Sequence, residues 1–139
     1  MRYFADVKHV SHDRLQDEVI VINVANGSYY SGSGSAADVW TLLTQGASPD
    51  EAARVLATAF GAPEETIRRD IETCAGFLVE RGLLQTIDAP APKTEFTLPN
   101  GERTAWRLPE FDEYTDMWEL IKLDPIHDVE EAGWPVRKA

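Results

Sequence analysis

The chain has 139 residues, of which 43% are hydrophobic, enough for one domain with its own core plus an appendage. Its single cysteine, Cys74, excludes an internal disulfide and points to a reducing, cytoplasmic setting. No apolar run reaches the length of a signal peptide or a membrane span, and a net charge of −11 disfavours nucleic acid as a partner.

Residues 7–10 read as a first strand, followed by a hairpin over residues 18–31. The run from Glu18 to Ala25 is β-branched, and Asn26-Gly27 separates it from Ser28-Tyr-Tyr-Ser31. Asn-Gly between two such runs predicts a two-residue turn with positive φ at both positions. That turn would pair Ala25 with Ser28, Val24 with Tyr29 and Asn23 with Tyr30.

Three helices follow. Ser35-Ala-Ala-Asp38 reads as a cap, and Ala36, Val39, Trp40 and Leu43 share one face up to a stop at Gly46. Ser48-Pro-Asp-Glu51 is a capping box with proline in the first turn. Ala52, Val55, Leu56, Ala59 and Phe60 are its apolar face, ending at Gly61. Pro63 opens the longest helix, where Glu64 and Glu65 suit the positive end of the dipole. Ile67, Ile71, Cys74 and Leu78 form its stripe, widened by Ala75 and Phe77, and Gly82 ends it before Leu83-Leu84.

Residues 87–94, rich in proline and alanine, read as a stiff linker. Residues 95–139 form an acidic extension. Strands are expected at Glu95–Leu98 and Arg103–Leu108 about Pro99-Asn-Gly101, then a short helix on Tyr114, Met117, Trp118 and Ile121, then an extended end. Residues 110–131 carry nine acids against one base, Lys122. The division is therefore 1–86, 87–94 and 95–139. The expected fold class is α+β: a winged helix-turn-helix-like domain with about three antiparallel strands packed on three helices.

Motifs that carry chemistry are few. Gly32-Ser-Gly-Ser-Ala-Ala37 matches a dinucleotide-loop pattern, but such a loop needs a parallel βαβ unit. Here the preceding strand is an arm of an antiparallel hairpin, and the glycines read as a sharp strand-to-helix turn. His9, His12 and His127 with Cys74 lack the tight paired spacing of a zinc site. Cys74 falls on an apolar stripe and reads as a small core hydrophobe. No catalytic constellation, metal or cofactor is expected. Arg68, Arg69 and Arg81 on the third helix raise DNA binding by a winged-helix regulator as the alternative. Glu64, Glu65, Asp70, Glu72 and Glu80 on the same helix leave it negative.

The second arm of the hairpin is uncharged and free of proline. With glycines and a helix next in the chain, it reads as an open edge able to take a guest strand. The expected peptide-binding residues are Ser28, Tyr29, Tyr30 and Ser31 on that edge. Ile67, Arg68, Ile71, Cys74, Ala75 and Leu78 are expected on the facing helix, with part of that stripe serving as core.

Residues 5–86 resemble the PqqD family, also called the RiPP recognition element, for ribosomally made, post-translationally modified peptides. The likeness lies in Asn23-x-x-x-Gly27-x-Tyr29-Tyr30, a small residue at Ala36 or Ala37, and Val39-Trp40-x-Leu42-Leu43. It continues in the Gly46–Glu51 segment and in Glu80-Arg-Gly-Leu-Leu84. Two features depart from the pattern. Gly32 and Ser33 stand where members often have leucine and asparagine, which would loosen the docking strand, and the extension has no counterpart. The resemblance implies a non-catalytic module that binds the leader of a precursor peptide as an added strand. A separate radical enzyme, leader protease or amide-forming ligase would act on the rest of the peptide. The extension is left three roles: docking on that enzyme, lying across the domain's own groove, or joining two copies into a homo-oligomer.

Overall fold

The computed structural model describes residues 1–114. They form β1 (Arg2–Phe4), β2 (Val10–Leu15), β3 (Glu18–Asn23), β4 (Ser28–Ser33), α1 (Ser35–Thr44), α2 (Pro49–Phe60), α3 (Glu64–Glu80), β5 (Gln85–Ile87) and β6 (Asp112–Tyr114). Two antiparallel sheets result, one ordered β2-β3-β4-β6 and one pairing β1 with β5. This is the α+β, winged helix-turn-helix-like class expected from the sequence. Tyr114, expected to open a short helix, ends β6 instead, while Met117, Trp118, Ile121 and the extended end beyond them lie outside the described residues.

The core sits between the main sheet and the helices. Val19, Val21 and Tyr30 from the sheet meet Trp40, Leu42 and Leu43 of α1, Leu56 of α2 and Ile67, Ile71 and Leu78 of α3. Leu83 and Leu84, just past α3, are buried in the same core. Helix starts follow the sequence where side chains supply the caps. Ser48 accepts from the Glu51 N–H while Glu51 accepts from the Ser48 N–H, and Gly61 ends α2 in the left-handed conformation.

Three local expectations are corrected. The strand expected at 7–10 begins only at Val10, because Asp6 folds the preceding residues into a turn. Its carbonyl accepts from the His9 and Val10 N–H groups, and its carboxylate accepts from the Lys8 N–H. The hairpin register differs by two residues. Asn23 pairs with Ser28, Ile22 with Tyr29 and Val21 with Tyr30, leaving a four-residue loop. Only Gly27 of the Asn-Gly pair has positive φ, at 78°. Asn23 Oδ1 accepts from the Ala25 N–H and Asn26 Oδ1 from the Ser28 N–H, so two amide side chains outcompete the tight turn. Third, α1 is capped by Gly34 with no side-chain bond, and Asp38 is drawn away from the helix end. Its buried carboxylate is gripped by Arg14 at 2.9 Å and Arg103 at 2.8 Å.

The chain beyond α3 wraps the domain. Arg2 donates to the carbonyls of Ala89 and Gly46 and forms an ion pair with Glu51. Pro92 fills the space beside Gly46 that a Cβ would take. Gln45 and Thr97 exchange two hydrogen bonds, and Trp106 packs edge-on against Phe60 while donating to Asp70 at 2.8 Å. The strands expected at 95–98 and 103–108 are absent from the described residues. Gln45 of the body bonds this backbone at Thr97, and Arg103 of the segment itself donates to the Pro99 and Gly101 carbonyls, so it is held as an irregular strap.

Candidate functional site at the edge of the sheet

The outer edge of β4 is not open, which corrects the central sequence expectation. It carries β6, antiparallel, with Tyr29 opposite Tyr114, Tyr30 opposite Glu113 and Ser31 opposite Asp112. The partner strand comes from more than 80 residues along the chain, in an acidic segment with no strand-like pattern.

β6 makes side-chain contacts on both faces of the sheet. On the outer face the Tyr114 ring stacks on Tyr29, centroids 4.6 Å apart and planes 15° from parallel. On the inner face Glu113 Oε2 accepts from the Tyr30 hydroxyl at 3.1 Å and from Arg81 Nε at 3.0 Å. Arg81 lies over the Phe77 ring, 4.8 Å from its centroid. Burial, then the bond to Glu113, raises the Tyr30 phenol above its ordinary pKa, so the group stays a donor. Two residues earlier, Phe111 packs edge-on toward Trp40 and fills the place of a missing side chain at Gly32.

Between α3 and residues 108–112 runs a groove of about 310 Å³ lined by Thr73, Cys74, Phe77, Leu108 and Phe111. The residues expected to wall it fare unequally. Ile67, Ile71, Ala75 and Leu78 are fully buried in the core and line no groove, because that face of α3 packs inward. Cys74 borders the groove at 3% exposure, and burial pushes its thiol up to about 12. Arg68 is tied to Glu65, Glu72 and Asp50 on the other end of the helix. Ser28, Tyr29, Tyr30 and Ser31 do lie on β4, the strand that β6 covers. Sequence reasoning missed Thr73, Phe77 and Arg81 as parts of this site, and it foresaw 108–114 only as one of three roles for the extension, lying across the domain's own groove. One signal was available: glycine at position 32, in a strand, marks a close approach.

A larger cleft of about 910 Å³ lies under residues 99–107, next to Arg14, Asp38 and Arg103. Those three charges satisfy one another, so it reads as a seam between strap and body.

The sequence of residues 18–84 matches the family model described as coenzyme PQQ synthesis protein D. Residues 18–84 are a PqqD-family domain. The PqqD domain therefore spans β3 to Leu84 and contains β4 and α3, the two elements that frame the groove. A solved structure with a similar fold is described as TbiB1 in complex with the TbiA(beta) leader peptide. It is 21% identical, has a TM-score of 0.56, and the match covers 62% of this chain and 99% of that one. No curated protein matches the sequence. Among the described residues, no helix is long and apolar enough to cross a membrane.

Proposed function

We propose that the PqqD domain recognises the leader segment of a ribosomally made precursor peptide. The leader would add to the sheet as a strand on β4, and the bound peptide would pass to a separate modifying enzyme. The single observation that carries this reading is the pairing of β6 with β4: a short peptide strand suits this edge in backbone and side chains alike. The family membership and the similar fold of TbiB1, which is seen with a leader peptide, support it.

The role is non-catalytic. Holding the leader raises the local concentration of the remaining peptide at an enzyme that binds both, a radical enzyme, leader protease or amide-forming ligase. The DNA-binding alternative is weakened by Arg68, whose guanidinium is surrounded by three carboxylates.

The test is titration of the full chain with a precursor encoded beside its gene, followed by amide NMR. Saturable binding with shifts concentrated on Ser28–Ser33 and on Thr73–Arg81 is expected. Binding that leaves both segments unmoved would refute strand addition at β4.

A further inference from the structure

We propose that residues 109–114 are a resident pseudo-leader: they hold the β4 edge in cis, and a guest must displace them by presenting the same side-chain pattern. That pattern is an aromatic or large apolar group at the place of Phe111, an acid at the place of Glu113 and an aromatic at the place of Tyr114. The inference rests on the leader-recognition reading and gives the partner's chemistry.

The pattern is an imprint of the body. Gly32 leaves a socket under Trp40 and beside Ala36, and a Cβ there would lie 2.7 Å from Phe111 Cε2, so the socket requires a side chain from another segment. Arg81 and the Tyr30 hydroxyl converge on one carboxylate oxygen, a fork of two donors that selects an acid. Tyr29 offers a flat ring face, which Tyr114 covers.

The resident strand is also built to leave. It pairs over three residues, all exposed, and 43% of Tyr114 faces solvent. The strap behind it stays fixed, since Arg103 grips Asp38 and Trp106 donates to Asp70. Only residues 107–110 connect that anchor to Phe111. A tether this short holds the strand at an effective concentration on the order of millimolar. For a segment whose free dissociation constant is about 0.1 mM, that gives roughly tenfold competition against any guest.

The test uses the full chain and a fluorescent peptide of sequence RLPEFDEY, residues 107–114. Three proteins are compared: wild type, the double variant Phe111→Ala/Glu113→Arg, and Tyr114→Ser, whose exposed ring can be lost without unfolding. Anisotropy should show the double variant binding about tenfold tighter than wild type, with Tyr114→Ser between them. A peptide with lysine in place of Glu113 should lose about tenfold on every protein. Equal affinity for all three proteins, or no binding to any, would overturn the proposal. The precursor itself, titrated on the same proteins, separates the two readings. If it binds but RLPEFDEY neither binds nor competes, leader recognition stands and the pseudo-leader falls. If RLPEFDEY binds and no precursor does, residues 109–114 still hold the edge in cis, but leader recognition falls and with it the claim that they stand in for a leader.

Discussion

Phe111 sits where a side chain on Gly32 would be: a Cβ on that glycine would lie 2.7 Å from the ring and 2.9 Å from the Ala36 Cβ. The glycine that looked like a fragment of a nucleotide loop is thus a socket within a strand, paired with Val19. Its absent side chain is restored by a residue 79 positions later.

Gly32→Ala should therefore evict the Phe111 ring and strain the contact with α1. Overpacking of this kind costs about 1–3 kcal/mol. Thermal denaturation should show the loss, and hydrogen exchange should show faster exchange at residues 111–114. A variant as stable as wild type with an unchanged strand would contradict the socket.

Cys74 reports on the same groove. With its thiol held up at about 12 by burial, the thiolate is scarce near neutral pH. Iodoacetamide should alkylate the native chain at least about a hundredfold more slowly than a free cysteine of pKa about 8.5. As the chain's single cysteine, it gives an unambiguous mass shift. The Phe111→Ala variant should react faster, because Phe111 covers the groove beside it. Equal rates for the two proteins would mean that the strap does not shield it.

Asp38 holds two guanidiniums, Arg14 at 2.9 Å and Arg103 at 2.8 Å, with 3% of its side chain exposed. Asp38→Ala strands both cations and should cost about 3–5 kcal/mol. Arg103→Gln should cost distinctly less, because Arg14 still neutralises the carboxylate. It should also free the strap, seen as new proteolytic cleavage between residues 95 and 107. Chemical denaturation of both variants checks the order, and a reversal would assign the dominant contact to Arg103.

The Glu51 carboxylate lies at about 2 against an ordinary value of 4.5, chiefly through the hydrogen bond from Arg2, aided by the Ser48 N–H. Because the folded value is the lower one, the stabilisation is complete above pH 4.5 and drains as pH falls toward 2. At neutral pH, Glu51→Gln should cost about 1 kcal/mol, the usual worth of a cap and a partly exposed ion pair. The gap in Tm between wild type and this variant should shrink between pH 4.5 and 2. A gap that is constant with pH would remove the ion pair from the account.

The three helices were legible because their causes are local. The Ser48–Glu51 box, the helix-ending glycines and the 3–4 spacing of Ile67, Ile71, Cys74 and Leu78 act within a turn or two of chain. The two strands of the hairpin were legible for the same reason, although the side chains of Asn23 and Asn26 shifted their register. Within the candidate site, the uncharged, proline-free run Ser28–Ser31 was legible as a strand able to take a further neighbour, but not as one already covered by β6. The facing wall was misplaced by one helical face, since periodicity alone does not say which part of a broad apolar surface meets the core.

What the amino-acid sequence determined by itself is the PqqD domain: helix ends, apolar stripes and an edge strand with nothing to repel a neighbour. What only the tertiary structure decided is who that neighbour is. Asp112-Glu113-Tyr114 has little strand propensity. It becomes a strand because Arg103, Trp106 and Phe111 are seated on Asp38, Asp70 and Gly32, contacts that no local pattern encodes. The energy that orders this segment is spread over partners 32 to 83 residues away, from Arg81 to Tyr30, which a reading along the chain does not bring together.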